Sequence, residues 1–189
     1  IVLLSLKRSF LLSSRRSLLK TGIVGCLLAA HWVLFFLSAK ISTAAVCLVG
    51  MATTSFWTSI IEPLFFKKQI QLFEVLLSLL ALLGILIVFN MEIQYFLGLS
   101  FAIVAAILAA LFSIINVSLI KSDDHFVITF YEMVFACLFT GISLPFYLLY
   151  VSKEVFEWPN LEQAMWLLIL ASVCTVFAVS YSIKLMKRL

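Results

Sequence analysis

A polytopic bundle of transmembrane α-helices is the fold that the sequence predicts, and three observations predict it. Of 189 residues, 65% are apolar and only 12% charged, against roughly 45–50% apolar in a water-soluble domain. The mean hydropathy is +1.22. The charged residues gather into short clusters that divide the apolar sequence into six stretches, each close to the roughly 20 residues a helix needs to cross a bilayer. Six crossings and their short connections use up the chain, which excludes a soluble globular enzyme.

Taken in order, span A (21–39) carries Gly22 and Gly25 for close helix approach and His31 near its midpoint. Span B (43–61) keeps Cys47, Met51, Thr54, Ser55, Thr58 and Glu62 at helical spacing, so one stripe is small or polar while Phe56, Ile60 and Ile61 point elsewhere. Span C (70–89) offers from Val75 to Phe89 only Ser78, Ala81 and Gly84 against Leu and Ile, and reads as a peripheral, lipid-facing support. Span D (96–120) repeats Ala102, Ala106 and Ala110 and continues through Ser113 to Asn116, a smooth face with a hydrogen-bonding end. Span E (126–150) repeats the design with Glu132, Ala136, Thr140 and Ser143, and span F (161–183) with Ala171, Thr175, Ala178 and Ser182. In lipid, helices associate through small residues and through polar side chains that need partners, so each stripe serves either helix packing or a shared cavity.

Residues 1–6 read as the end of a preceding span, 7–20 as a basic cytoplasmic loop and 90–95 as a short outer loop. The sequence opens without Met inside an apolar element and stops on a basic hinge at 184–189, so it is expected to be a piece of a longer protein.

Orientation follows from Lys and Arg, which cytoplasmic loops retain and short translocated loops lack. One side collects eleven: Lys7, Arg8, Arg15, Arg16 and Lys20 before A, Lys67 and Lys68 after B, Lys121 after D, and Lys184, Lys187 and Arg188 after F. The other side has two, Lys40 and Lys153. The asymmetry fits all six spans and makes the basic balance topological, with no call for nucleic acid. Trp158 and Tyr150 at outer ends and Tyr131 near an inner one suit interfacial anchoring. The four cysteines, Cys26, Cys47, Cys137 and Cys174, lie in apolar runs without a CxxC pair and read as small packing residues rather than a disulfide or zinc framework.

Ionisable residues at membrane depth mark function or a buried partner. His31 hydrogen-bonds a solute or, if protonated, faces a carboxylate, or else makes an interhelical bond to a Ser or Thr. Glu132 lies roughly 9 Å inside span E at 1.5 Å per residue and is expected to meet Asn116, as a structural clamp or as part of a proton- or substrate-linked site. Glu62 is expected to pair with Lys67 at the inner interface. Asp123, Asp124 and His125 read as a hydrated turn and helix cap, and Asn116-Val117-Ser118 as a chance glycosylation sequon. With no HExxH, no pair of mid-span aspartates and no glycine-rich phosphate loop, neither catalytic residues nor a metal or cofactor site is expected.

Further stretches carry a resemblance. His31-Trp32-Val33-Leu34-Phe35-Phe36, running into Ser38-Ala39-Lys40-Ile41-Ser42, and Ser59-Ile60-Ile61-Glu62-Pro63-Leu64-Phe65-Phe66-Lys67-Lys68 resemble the third span and the end of the fourth in EamA-type permeases of the drug/metabolite transporter superfamily. Glu74 through Gly84-Ile85-Leu86-Ile87 is similar to their fifth span. Leu111-Phe112-Ser113-Ile114-Ile115-Asn116 and Phe130-Tyr131-Glu132 look like the first two spans of their second repeat, and Ala171 to Ala178 with the basic exit at 184–189 like the eighth. Many members carry a glutamate where Lys67 or Lys68 stands here.

The resemblance implies a ten-span, inverted-repeat transporter, of which this chain covers the end of the second span to the eighth: the rest of the first repeat at 21–89 and the first part of the second at 96–189. A five-span repeat is odd in number, so its second copy is inverted. The expected function is movement of a small organic metabolite by alternating access in the plasma membrane, a bacterial inner membrane, with a homodimer as an open arrangement. The expected solute contacts are His31, Trp32, Thr54, Trp57, Ser113, Asn116 and Thr175, with Glu132 orienting Asn116 or carrying a proton. The competing expectation is a structural or partner-binding membrane subunit that uses the same faces to grip other helices.

Overall fold

The computed structural model describes residues 11–89, 93–150 and 158–186. The expectations for residues 1–10 (with Lys7 and Arg8), 90–92, 151–157 (with Lys153) and 187–189 (with Lys187 and Arg188) lie outside the described residues. Every regular element described is helical: α1 (Arg15–Ile41), α2 (Ala44–Ala52), α3 (Thr54–Phe66), α4 (Leu72–Phe89), a 3-10 turn (Ile93–Tyr95), α5 (Phe96–Leu119), α6 (His125–Tyr150), α7 (Leu161–Ile169), a π-helical segment (Leu170–Phe177) and α8 (Ala178–Met186).

Among the described residues, five helical stretches are long and apolar enough to cross a membrane: Arg15–Ile41, Ala44–Phe66, Phe96–Leu119, His125–Leu149 and Leu161–Ile183. This is a multi-pass membrane protein. They correspond to spans A, B, D, E and F. Span C is α4, an 18-residue helix that is apolar apart from Glu74 and Ser78.

Two compact units make up the chain, Leu27–Ile115 on one hand and Ile1–Cys26 with Asn116–Leu189 on the other. In Leu27–Ile115, the alanine face of α5 is the packing surface: Ala102, Ala105, Ala106 and Ala110 are fully buried. Gly50 of α2 lies so close to it that an added Cβ would stand 2.3 Å from the Cβ of Ala102. At the other end of the face, the Ser38 hydroxyl donates to the Gly98 carbonyl at 2.7 Å, and a Cβ on Gly98 would meet that of Ser42 at 2.4 Å. Small residues thus let backbones approach, the main source of helix association where lipid supplies no hydrophobic drive. α4 packs on α2 and α3 through its serine stripe, with Ser78 buried and its hydroxyl 3.4 Å from that of Ser59. Leu76, Leu79, Leu80 and Leu83 stay exposed, as expected of a lipid-facing support.

Span B is broken into α2 and α3 at Thr53, and its hydroxyls explain the break. Thr53 Oγ1 donates to the Gly50 carbonyl at 2.7 Å and Thr54 Oγ1 to the Met51 carbonyl at 2.6 Å, diverting acceptors of the helical ladder. α3 closes with Lys67 in the left-handed region at φ 53°, which lets the Lys68 amide reach the Pro63 carbonyl at 2.9 Å.

In the other unit, the start of α1 lies against α6 at Gly25, where an added Cβ would stand 2.6 Å from Phe135 Cβ and 2.8 Å from the Glu132 carbonyl. α8 also packs on α6, burying Ile183, whereas no described side chain of α7 or the π segment is buried.

Candidate functional site

A cleft of about 740 Å³ with both polar and apolar walls opens between α3, α4 and the turn that joins them, within the roughly 300–1,000 Å³ of small-molecule sites. One wall is the hydroxyl stripe of α3, Thr54, Ser55, Thr58 and Ser59, which runs about 13 Å down to Glu62 and Pro63 at the helical rise. Lys68, Gln69 and Gln71 come from the turn, and Phe73, Glu74, Leu77 and Ser78 from α4. The polar stripe of span B therefore borders open space as well as protein. Thr58 returns its hydroxyl to the Thr54 carbonyl at 2.9 Å and Ser59 to the Phe56 carbonyl at 2.8 Å. Each hydroxyl oxygen keeps acceptor capacity.

Glu62 does not pair with Lys67 as the sequence suggested. Its carboxylate is 3.6 Å from the Lys68 ammonium, because the left-handed turn at Lys67 folds the chain back and brings the next residue round. Glu74, in the first turn of α4, adds a second carboxylate to the cleft. Glu74, Gln69 and Gln71 are not among the expected solute contacts, because span C reads from its sequence as lipid-facing. The signal it carried was Glu74 and Ser78 four residues apart on one helical face.

Of the predicted solute contacts in this unit, only Thr54 lines the cleft. His31 Nδ1 donates to the Ala105 carbonyl at 2.8 Å, with its ring edge-on to Phe112 at 5.6 Å between centroids. The structure thus gives it an interhelical bond, made to a backbone carbonyl. Trp32 and Ser113 are half-buried. Trp57 packs edge-on against Phe56 at 5.4 Å, and its Nε1 is buried without a hydrogen-bond partner.

In the second unit, Asn116 and Glu132 are both buried, at 3% and 0% exposure. Their side chains interact, although neither carboxylate oxygen reaches hydrogen-bond geometry. Thr175 lies in the π-helical segment and donates to the Leu170 carbonyl five residues back at 3.0 Å. Such π turns inside α-helices are frequent at functional positions.

The hydrated turn predicted at 123–125 needs correcting. Asp124 is the cap, its carboxylate accepting from the Phe126 amide at 3.0 Å, but Asp123 is buried. It accepts from the Ser13 amide at 2.7 Å, the Ser13 hydroxyl at 3.1 Å, the Ser122 hydroxyl at 2.8 Å and the Ser17 hydroxyl. Burial pushes the Asp123 carboxyl up, yet the hydrogen bonds from Ser17, Ser13 and Ser122 outweigh it and hold the group below the ordinary carboxylate value. The serine cage was legible only as Ser13 and Ser17 one helical turn apart. Next to it, the Lys20 ammonium donates to the Ser118 hydroxyl at 3.0 Å.

Among the described residues no group of three or more His, Cys, Asp or Glu is placed to hold a metal ion. No protein-family model, curated protein or solved structure matches this chain.

Proposed function

We propose that this chain belongs to an integral membrane permease that moves a small organic metabolite by alternating access. The observation that supports it most is the cleft of about 740 Å³ lined by the hydroxyls of α3 and by Glu62, Lys68 and Glu74. Hydroxyls with spare acceptor capacity and charged side chains beside open space of that volume suit a small polar solute. The resemblance to EamA-type permeases adds the finer reading: a ten-span inverted repeat in the plasma membrane, with a midplane site approached by spans A, B, D and F. In that reading Thr54 binds solute from the cleft. His31, Trp32, Trp57, Ser113, Asn116 and Thr175 are solute contacts of that reading that do not line the cleft, and Glu132 orients Asn116 or carries a proton.

Thiol labelling in membrane vesicles tests the cleft. With the native cysteines replaced by alanine, Thr54→Cys and Ser55→Cys are expected to react with a hydrophilic thiol reagent, and Leu79→Cys on the lipid-facing side of α4 is expected to resist it. Failure of both cleft positions to react means that the space is dry, and the permease reading then gives way to a structural subunit. In the complete protein, Thr54→Val is expected to lower solute flux into liposomes at least about tenfold, the effect of losing one hydrogen bond of about 1.4 kcal/mol that is made only to solute.

A further inference from the structure

The hydroxyls that line the cleft between α3 and α4 have already spent their hydrogens. Thr54, Thr58 and Ser59 donate to carbonyls of the α2–α3 backbone, and Ser78 donates to the Glu74 and Val75 carbonyls at 2.9 Å. A hydroxyl has one hydrogen and two lone pairs, so toward the cleft these four groups accept. Ser59 and Ser78 are only 8% and 7% exposed, and their oxygens stand 3.4 Å apart where the two helices meet.

Two carboxylates flank this serine pair. Glu62 follows Ser59 by three residues and Glu74 precedes Ser78 by four, so each stands about one helical turn from its serine, on the side of the connecting turn. Against these two negative charges the lining sets one positive charge, Lys68, which is engaged by Glu62 at 3.6 Å. Among the described residues the Glu74 carboxylate has no ion-pair partner. The remaining donors of the lining, Ser55, Gln69 and Gln71, each bring an acceptor with them. Acceptors therefore exceed donors, and one negative charge is left over. Phe73 and Leu77 add an apolar wall.

The ligand that complements these walls is positive, rich in N–H donors and apolar in its body. A primary ammonium carries three donors, and its bonds to carboxylates are charge-assisted. A quaternary ammonium has the same charge and no donor at all. We infer that the cleft binds a primary-amine cation, with its ammonium held by Glu74 and the Ser59–Ser78 pair and its hydrocarbon part against Phe73 and Leu77. This names the class of solute within the permease reading, on which its role as cargo rests. Free amines and the headgroup of phosphatidylethanolamine share this chemistry, and the same oxygens recognise both.

Tyramine, a primary ammonium on an aromatic body, is the probe. Its equilibrium binding is measured on the full chain in phosphatidylcholine vesicles, whose headgroups are quaternary, with binding to protein-free vesicles subtracted. Saturable binding is expected, and it is expected to weaken at least about tenfold for N,N,N-trimethyltyramine and at least about tenfold in Glu74→Gln, the loss of one charge-assisted hydrogen bond. The inference is overturned if tyramine does not bind saturably, or if the two compounds bind equally, since charge alone is then being read. Neither result depends on the variant folding. Replacing half of the phosphatidylcholine by phosphatidylethanolamine separates the two sources. Weaker tyramine binding identifies the lipid headgroup as an occupant of the site, unchanged binding identifies the free amine, and both keep the primary ammonium as the group recognised. Vesicles that carry another solute through a protein that binds no tyramine keep the permease reading and overturn the amine site. A protein that binds tyramine and does not carry it refutes the cargo role and leaves the site in place.

Discussion

Asp123 is the residue whose surroundings depart most from what its neighbours in sequence suggest. Two aspartates and a histidine in a row read as a hydrated turn, yet Asp124 keeps the capping role while Asp123 turns inward to hydroxyls and an amide 110 positions away. Such charge-assisted bonds are stronger than neutral ones. Asp123→Asn, which keeps the shape and loses the charge, is expected to destabilise the protein by about 1–3 kcal/mol, read as a lowered midpoint in thermal unfolding in detergent. The sign of the pH dependence follows from the direction of the shift. Because the folded state holds the Asp123 carboxyl below its ordinary value, its contribution is fully present above about pH 3.9, the unfolded value, and is lost as pH falls through the folded one. Asp123→Asn should therefore narrow its gap to wild type in acid. A gap that stays constant with pH would show that the serines bind the side chain through shape alone.

At the scale of the element, small residues set how closely helices meet, and hydroxyls set where they break. The repeat of Ala102, Ala106 and Ala110 was visible in the sequence because a four-residue spacing stays on one face of any helix. That Gly50 would be the residue pressed onto Ala102 was not, since it depends on the depth at which two helices cross. Gly50→Val is expected to push α2 off α5 and to cost about 1–3 kcal/mol. Adding Ala102→Gly should return part of that loss in a double-mutant cycle; simple additivity would mean that the two residues do not meet. The division of span B at Thr53 was hidden for a related reason. Thr, Thr and Ser are compatible with a continuous membrane helix, and whether their hydroxyls divert its carbonyls depends on rotamers that neighbouring helices select. Glu132 was read from its depth alone, and it does meet Asn116. That its side chain is fully enclosed emerged only from the tertiary packing.

For the whole molecule, the charge pattern gives a topology that can be checked. In a background without native cysteines, Gln69→Cys and Lys121→Cys are expected to react with a membrane-impermeant thiol reagent from the cytoplasmic face, and Ile41→Cys and Gln94→Cys from the opposite face. Labelling of all four from one side would remove the alternation of six spans. Position 94 is the decisive one, because it lies beyond the end of α4 and reports whether this helix crosses. If α4 only dips into the bilayer, Gln94→Cys labels from the cytoplasmic face together with Gln69→Cys.

What the sequence determined by itself was the helical membrane architecture and the approximate limits of its helices. A bilayer imposes a one-dimensional rule: a crossing needs about 20 apolar residues with every backbone group satisfied within the segment, and length and composition can be counted along a string. Tertiary structure decided which polar atoms meet. The bonds from Ser13 to Asp123, from His31 to the Ala105 carbonyl and between Ser59 and Ser78 each join different helices or turns, at a depth and rotation that no local spacing encodes. A polar stripe looks the same on paper whether it ends in contact, as on α5, or beside open space, as on α3. The position of the neighbouring backbone separates the two.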